Sequence, residues 1–160
     1  MKKVISIDPA IKHLATVTMN INEGEVSNLE CKLIDLCNGK KAKEVKFEAM
    51  MNNLLDVLGT INMENVDIVL IENTFMNVSV KSIGVAIYTY YKMKNFEVHF
   101  VSPSRKLSKE ENKLPYKERK KASVNKALSL LNDDDKAKVQ AYKKQDDITD
   151  CIIQCLSYFN

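Results

Sequence analysis

The run Asp67-Ile68-Val69-Leu70-Ile71-Glu72 constrains the fold more than any other stretch of the chain. Its apolar core is too short for a helix and does not alternate with polar residues. A strand of that kind is covered on both faces, which calls for a sheet with helices above and below it. Lys2–Asp8 has the same form. Val4-Ile5-Ser6-Ile7 is closed by Asp8 and then by Pro9, which lacks an N–H and ends the ladder. Both core strands therefore end in an acid, a side chain that is costly to bury without a partner.

The other segments fall into order around these two. Leu14–Ile21 and Val26–Leu36 have strand character on either side of the turn signal Asn22-Glu23-Gly24-Glu25, so the first three strands read as an antiparallel meander. Phe47, Met50, Met51, Leu54, Leu55 and Leu58 keep helical spacing, with Gly59 as the expected stop. Val78–Lys94 is a second helix. It is apolar on more than one side, so it is either central or half of an interface. Glu97–Val101 is the fifth strand, ended by Pro103, and Pro115 places a loop in the segment that follows. Lys121–Leu131 is a third helix, and Asn132–Asp135 is a polar break. A last helix carries Ile148, Cys151, Ile152, Cys155, Leu156 and Phe159 on one inward stripe. The order β-β-β-α-β-α-β-α-α predicts an α/β fold: a mixed five-stranded sheet, three antiparallel strands plus parallel ones, with helices on both faces. Residues 1–160 read as a single domain.

Composition narrows the function. There is no apolar run long enough to span a bilayer and no signal segment at the start, so a membrane role is not expected. Cys31, Cys37, Cys151 and Cys155 are not spaced like a zinc site; they read as reduced and mostly buried, which suits an intracellular, reducing compartment. The net charge is only +3 but is unevenly spread. Between Ser104 and Lys126 stand nine Lys/Arg and three acids. Such a segment is either a footprint for a polyanion or a solvated lysine-rich loop.

The stretch Asp146-Asp147-Ile148-Thr149-Asp150 opens the last helix. Asp147 and Asp150, three residues apart, share a helix face. Neighbouring carboxylates repel unless a cation lies between them, and a divalent metal is the usual resolution. The structural alternative is that Asp146 caps the helix and the others sit favourably in its positive first turn. Together with Asp8 and Glu72 these acids would make an oxygen-only site for ions such as Mg²⁺.

The pattern Ser6-Ile7-Asp8-Pro9, then Ile71-Glu72-Asn73 after a helix, then Asp147-x-x-Asp150 near the end resembles the RuvC-type Holliday junction resolvases of the ribonuclease H-like superfamily. Small size and the Asp-Asp-x-x-Asp form are nearest to the poxvirus and mitochondrial branch. The resemblance implies a structure-specific DNA endonuclease that resolves four-way junctions by paired symmetric phosphodiester cleavage. It implies a homodimer, two Mg²⁺ ions per site with Mn²⁺ able to substitute, and no small-molecule cofactor. The metal-binding carboxylates fall on Asp8, Glu72, Asp147 and Asp150. Lys106 matches the family lysine near the scissile phosphate, with Arg105 beside it. Lys120 and Lys121 compete for the backbone-gripping lysine of the next helix. Phe75 occupies the place of an aromatic that stacks on bases, or is a core residue. The overly apolar helix Val78–Lys94 is the expected dimer face. Ala10 departs from the family's usual glycine and implies a different turn. The branch implies the cytoplasm of a virus-infected cell, with a mitochondrial location as the alternative. Cleavage of flaps, RNA–DNA hybrids or structured RNA, or nucleic-acid binding without catalysis, remain alternatives on the same fold.

Overall fold

A computed structural model describes residues 1–74, 77–103 and 113–159. Among these residues the strands are β1 (Lys2–Asp8), β2 (Leu14–Asn22), β3 (Glu25–Ile34), β4 (Ile68–Glu72) and β5 (Glu97–Val101). The helices are α1 (Phe47–Gly59), α2 (Val78–Met93), α3 (Tyr116–Ser129), α4 (Asp133–Gln140) and α5 (Gln145–Phe159). The sheet order is β3-β2-β1-β4-β5. β1, β2 and β3 pair antiparallel, while β1–β4 and β4–β5 pair parallel. The mixed five-stranded sheet expected from the sequence is the one observed.

Both faces of the sheet are covered, as the unalternating apolar strands require. On one face Val4, Val17, Ile68 and Leu70 pack against Ile148, Cys151, Ile152 and Cys155 of α5, with Ala127 of α3 and Val139 of α4 alongside. On the other, Ile5, Ile7, Val69 and Ile71 pack against Leu54 and Leu58 of α1 and Ile83, Ile87 and Tyr91 of α2. Cys37, Cys151 and Cys155 are buried, Cys31 is half-buried, and all are free thiols. No helix among the described residues is long and apolar enough to cross a membrane.

Three of the differences from the sequence reading have a plain physical cause. β3 stops at Ile34 because the Asp35 carboxylate accepts the backbone N–H groups of Cys37, at 2.8 Å, and Gly39, at 2.9 Å, closing a turn that Gly39 completes at φ +84°. α3 starts at Tyr116, five positions before Lys121, with Pro115 as its N-cap residue. Proline just ahead of a helix leaves no N–H unsatisfied, so here it ends a loop and launches a helix. The polar break is a helix: Asn132 caps α4 by accepting the Asp135 N–H at 2.9 Å, and Asp133, Asp134 and Asp135 line the first turn. α4 buries only Asp135 and Val139, so it leaves no apolar period in the sequence.

Candidate metal and nucleic-acid site

The pairing Ile7↔Ile71, carried one step along the parallel β1–β4 ladder, sets Asp8 beside Glu72 at the same edge of the sheet. Side chains alternate faces along a strand. Val4 and Ser6 face α5, so Asp8 does too; Ile68 and Leu70 face α5, so Glu72 does too. Two acids that close separate apolar runs are thus delivered to one edge and one face.

α5 is fixed over that face by polar contacts as well as by its apolar stripe. Gln154 Nε2 donates to Ser6 Oγ at 3.1 Å and to the Ile7 carbonyl at 3.4 Å, both buried. The Cys151 thiol donates to the carbonyl of Ala15, the residue paired with Asp8. Asp150 lies one helical turn before Gln154 and Asp147 about two turns before it, so the N-terminus of α5 reaches the strand-end edge. Among the described residues no group of three or more His, Cys, Asp or Glu forms a ready-made metal cage. The topology sets Asp8 beside Glu72 and aims the acid-bearing end of α5 toward the same edge; it does not close the four carboxylates into a ligand set.

An ammonium group stands among the α5 acids. Lys120 Nζ lies 2.9 Å from Asp150 Oδ2 and 3.3 Å from Asp146 Oδ2. Ser123, buried on the same face of α3, donates its hydroxyl to the other oxygen of Asp150 at 2.9 Å. Burial alone would lower the pKa of Lys120; the charge and hydrogen bond of Asp150, with Asp146 behind it, outweigh that and hold the ammonium above the usual lysine range. Asp147 moves the other way for an acid. Burial pushes its pKa up, Asp146 adds to the rise, and Lys120, Lys144 and His13 oppose it without cancelling it. Among the described residues the ion pairs of Asp146 and Asp150 are with Lys120, and every donor that the three α5 acids offer is a hard oxygen. That donor set fits a divalent cation of the Mg²⁺ or Mn²⁺ kind.

The structure separates the two competing lysines. Lys120 turns inward to α5, and Lys121 is exposed with Lys117 on the outer side of α3. Asp146 follows Gln145 inside the first turn of α5, so it is a partner of Lys120 and not the residue ahead of the helix. His13 is exposed. Phe75, Arg105 and Lys106 lie outside the described residues. Sequence reasoning missed Ser123. The signal was present: the inward stripe Val124, Ala127, Leu128, Leu131 extends one turn back to Lys120 and includes Ser123 on its flank.

Comparison with known proteins bears on this architecture. A family model described as Poxvirus A22 protein matches residues 2–160. The fowlpox virus resolvase, solved with substrate Holliday junction DNA, aligns with a TM-score of 0.69 at 21% identity over 98% of this chain and 95% of that one. RuvC from Thermus thermophilus in complex with a Holliday junction substrate gives 0.64 at 16% identity, over 99% and 95%. The yeast mitochondrial Holliday junction resolvase gives 0.60 at 15%, over 98% and 78%. At these identities the likeness is one of fold. No curated protein matches the sequence.

Proposed function

Because the chain belongs to the family described as Poxvirus A22 protein, we propose that it is a metal-dependent endonuclease that resolves four-way DNA junctions. The observation that carries this reading is the meeting of two acid-terminated parallel strands with the acid-rich N-terminus of α5, on a fold shared with solved resolvases. Asp8, Glu72, Asp147 and Asp150 would hold the ions, two Mg²⁺ per site, with Mn²⁺ able to substitute. Bound there, such ions supply Lewis-acid stabilisation of a phosphodiester and of its leaving oxygen. The chain's own groups do the rest. Ser123 orients the Asp150 carboxylate, and Lys120 neutralises part of the acid surplus in the metal-free protein. Lys121 on the outer side of α3 grips backbone phosphate, a contact that positions DNA without reading sequence. Arg105 and Lys106 serve the scissile region, and Phe75 stacks on unpaired bases.

Symmetric resolution takes two cuts and so two subunits related by a two-fold axis. The surface of α2 suits that partner. Val78 is 83% exposed, Val85 48% and Met93 80%, an apolar row on the outer side of a helix whose inner side is already packed. Residues 1–160 act as one nuclease domain, in the cytoplasm of an infected cell.

A synthetic four-way junction, a flap and an RNA–DNA hybrid are incubated side by side with the protein and Mg²⁺. Paired nicks on the junction are expected, with little product from the other two. Asp147→Asn lowers cutting by at least about 10²-fold while junction binding persists. Preferred cleavage of the flap or hybrid would move the protein to another nuclease activity. Undiminished cutting by Asp147→Asn would remove that residue from the site.

A further inference from the structure

The ammonium of Lys120 sits where a cation is needed, and it is supplied by a different helix from the acids it serves. It touches Asp150 at 2.9 Å and Asp146 at 3.3 Å, and its side chain is only 25% exposed. Asp150 is tighter still, with its side chain 14% exposed and its second oxygen held by Ser123. A lysine used only for gripping DNA would project into solvent, as Lys121 does one position later.

We propose that Lys120 is a tethered counter-cation: it occupies the Asp146–Asp150 carboxylates in the metal-free protein and must withdraw when a divalent ion takes Asp150. This rests on the reading of Asp150 as a metal ligand. Ion entry and the Lys120–Asp150 pair are then mutually exclusive, and the lysine sets the affinity of the site by competition. The arrangement has a stability consequence too. Without any cation, the like charges of Asp146, Asp147 and Asp150 would repel across one helical turn. Lys120 lets α5 keep its position on the sheet before metal arrives. Ser123 keeps hold of Asp150 through the exchange, because a hydroxyl donor to one oxygen does not compete with a cation at the other.

The test measures Mn²⁺ affinity and metal-free stability, neither of which needs catalysis. Free Mn²⁺ is titrated by electron paramagnetic resonance against the wild type, Lys120→Met and Lys120→Arg. Lys120→Met removes the competitor at similar volume, so Mn²⁺ should bind about tenfold more tightly. Lys120→Arg supplies a forked, permanently charged competitor, so Mn²⁺ should bind more weakly than in the wild type. In chelator, Lys120→Met should melt at lower temperature than the wild type, and saturating Mn²⁺ should close that gap. Weaker or unchanged Mn²⁺ binding by Lys120→Met overturns the proposal, because a merely structural lysine would weaken the site whichever way it is replaced. If Lys120→Met does not fold, Lys120→Gln, which also removes the charge, is titrated in its place: Mn²⁺ affinity equal to or below the wild type's overturns the proposal. A wild type that binds no Mn²⁺ at all defeats the metal reading of the carboxylates, and this proposal with it.

Discussion

Two acid–lysine clusters flank the α5 face of this protein, and they are built on opposite principles. In one, Asp135 of α4 is 2% exposed and satisfied from three sides. It accepts from Lys138 Nζ at 2.7 Å, from Asn132 Nδ2 at 3.0 Å and from the Leu29 N–H of β3 at 3.2 Å. Burial works against its charge, but those donors win and its pKa falls. In the other, Lys120 pairs with Asp146 and Asp150, and Asp147 beside them keeps a raised pKa. The first cluster is balanced, and it pins a short helix to an edge strand. In the second, beside the strand ends, burial and a neighbouring like charge disfavour the ionised form of Asp147. A buried carboxylate whose charge is fully satisfied is a structural anchor, whereas one whose charge is disfavoured marks a candidate binding site.

The largest effect should come from breaking the balanced cluster. Asp135→Ala strands the Leu29 N–H and the Asn132 amide and removes the anchor of α4. It should cost about 2–3 kcal/mol of unfolding free energy by urea denaturation, with cutting per folded molecule unchanged. Asp147→Asn, which relieves repulsion, should leave stability equal or slightly higher in chelator. Equal losses from the two substitutions would mean that both clusters are structural.

Acid titration sharpens the same contrast, because the two groups carry opposite signs. The Asp135 pKa is lowered by folding, so its contribution is present above the unfolded value, about 3.9, and disappears as pH falls through the folded value. The Asp147 pKa is raised by folding. Its protonated form is favoured below the unfolded value, and that advantage is lost as pH rises through the folded value. Urea midpoints between pH 3 and 7 in chelator should therefore show the deficit of Asp135→Asn growing as pH rises. Asp147→Asn should gain on the wild type over its own, higher window. Parallel curves would remove the contrast between the two clusters.

Much of this was legible in the chain. Unalternating runs such as Ile68–Ile71 dictate a strand covered on both faces, and their terminal acids, Asp8 and Glu72, mark the edge where the proposed site lies. α4 was not legible. Its stability comes from the Asn132 cap and from Asp135 reaching a strand more than a hundred positions earlier, a tertiary bond that no local period announces. The role of Lys120 was half legible. Its register follows from the stripe Val124–Leu131, but that stripe had to be extended through the Pro115-launched turn, which reads as loop. The pairing with Asp150 depends on how closely α3 and α5 approach, and sequence spacing carries no such distance.

The smallest effect isolates the outward side of α3. Lys121 stands next to Lys120 in sequence but is exposed, on a helix that also presents Lys117 to solvent. If it contacts a single backbone phosphate, Lys121→Ala removes one counterion-release event and no base contact. Junction affinity should then fall only a few-fold, and the slope of log K against log salt should lessen by about 0.9. Mn²⁺ affinity and melting temperature should not move, since a solvated lysine shares neither carboxylate with the site. Adjacent lysines giving such separate readouts, metal competition from one and salt slope from the other, follow from helix geometry alone: successive residues point about 100° apart, so one meets α5 and the next meets solvent. A Lys121→Ala variant that shifts Mn²⁺ affinity as Lys120→Met does would show that both lysines act through general charge, and the specific contact with Asp150 would lose its meaning.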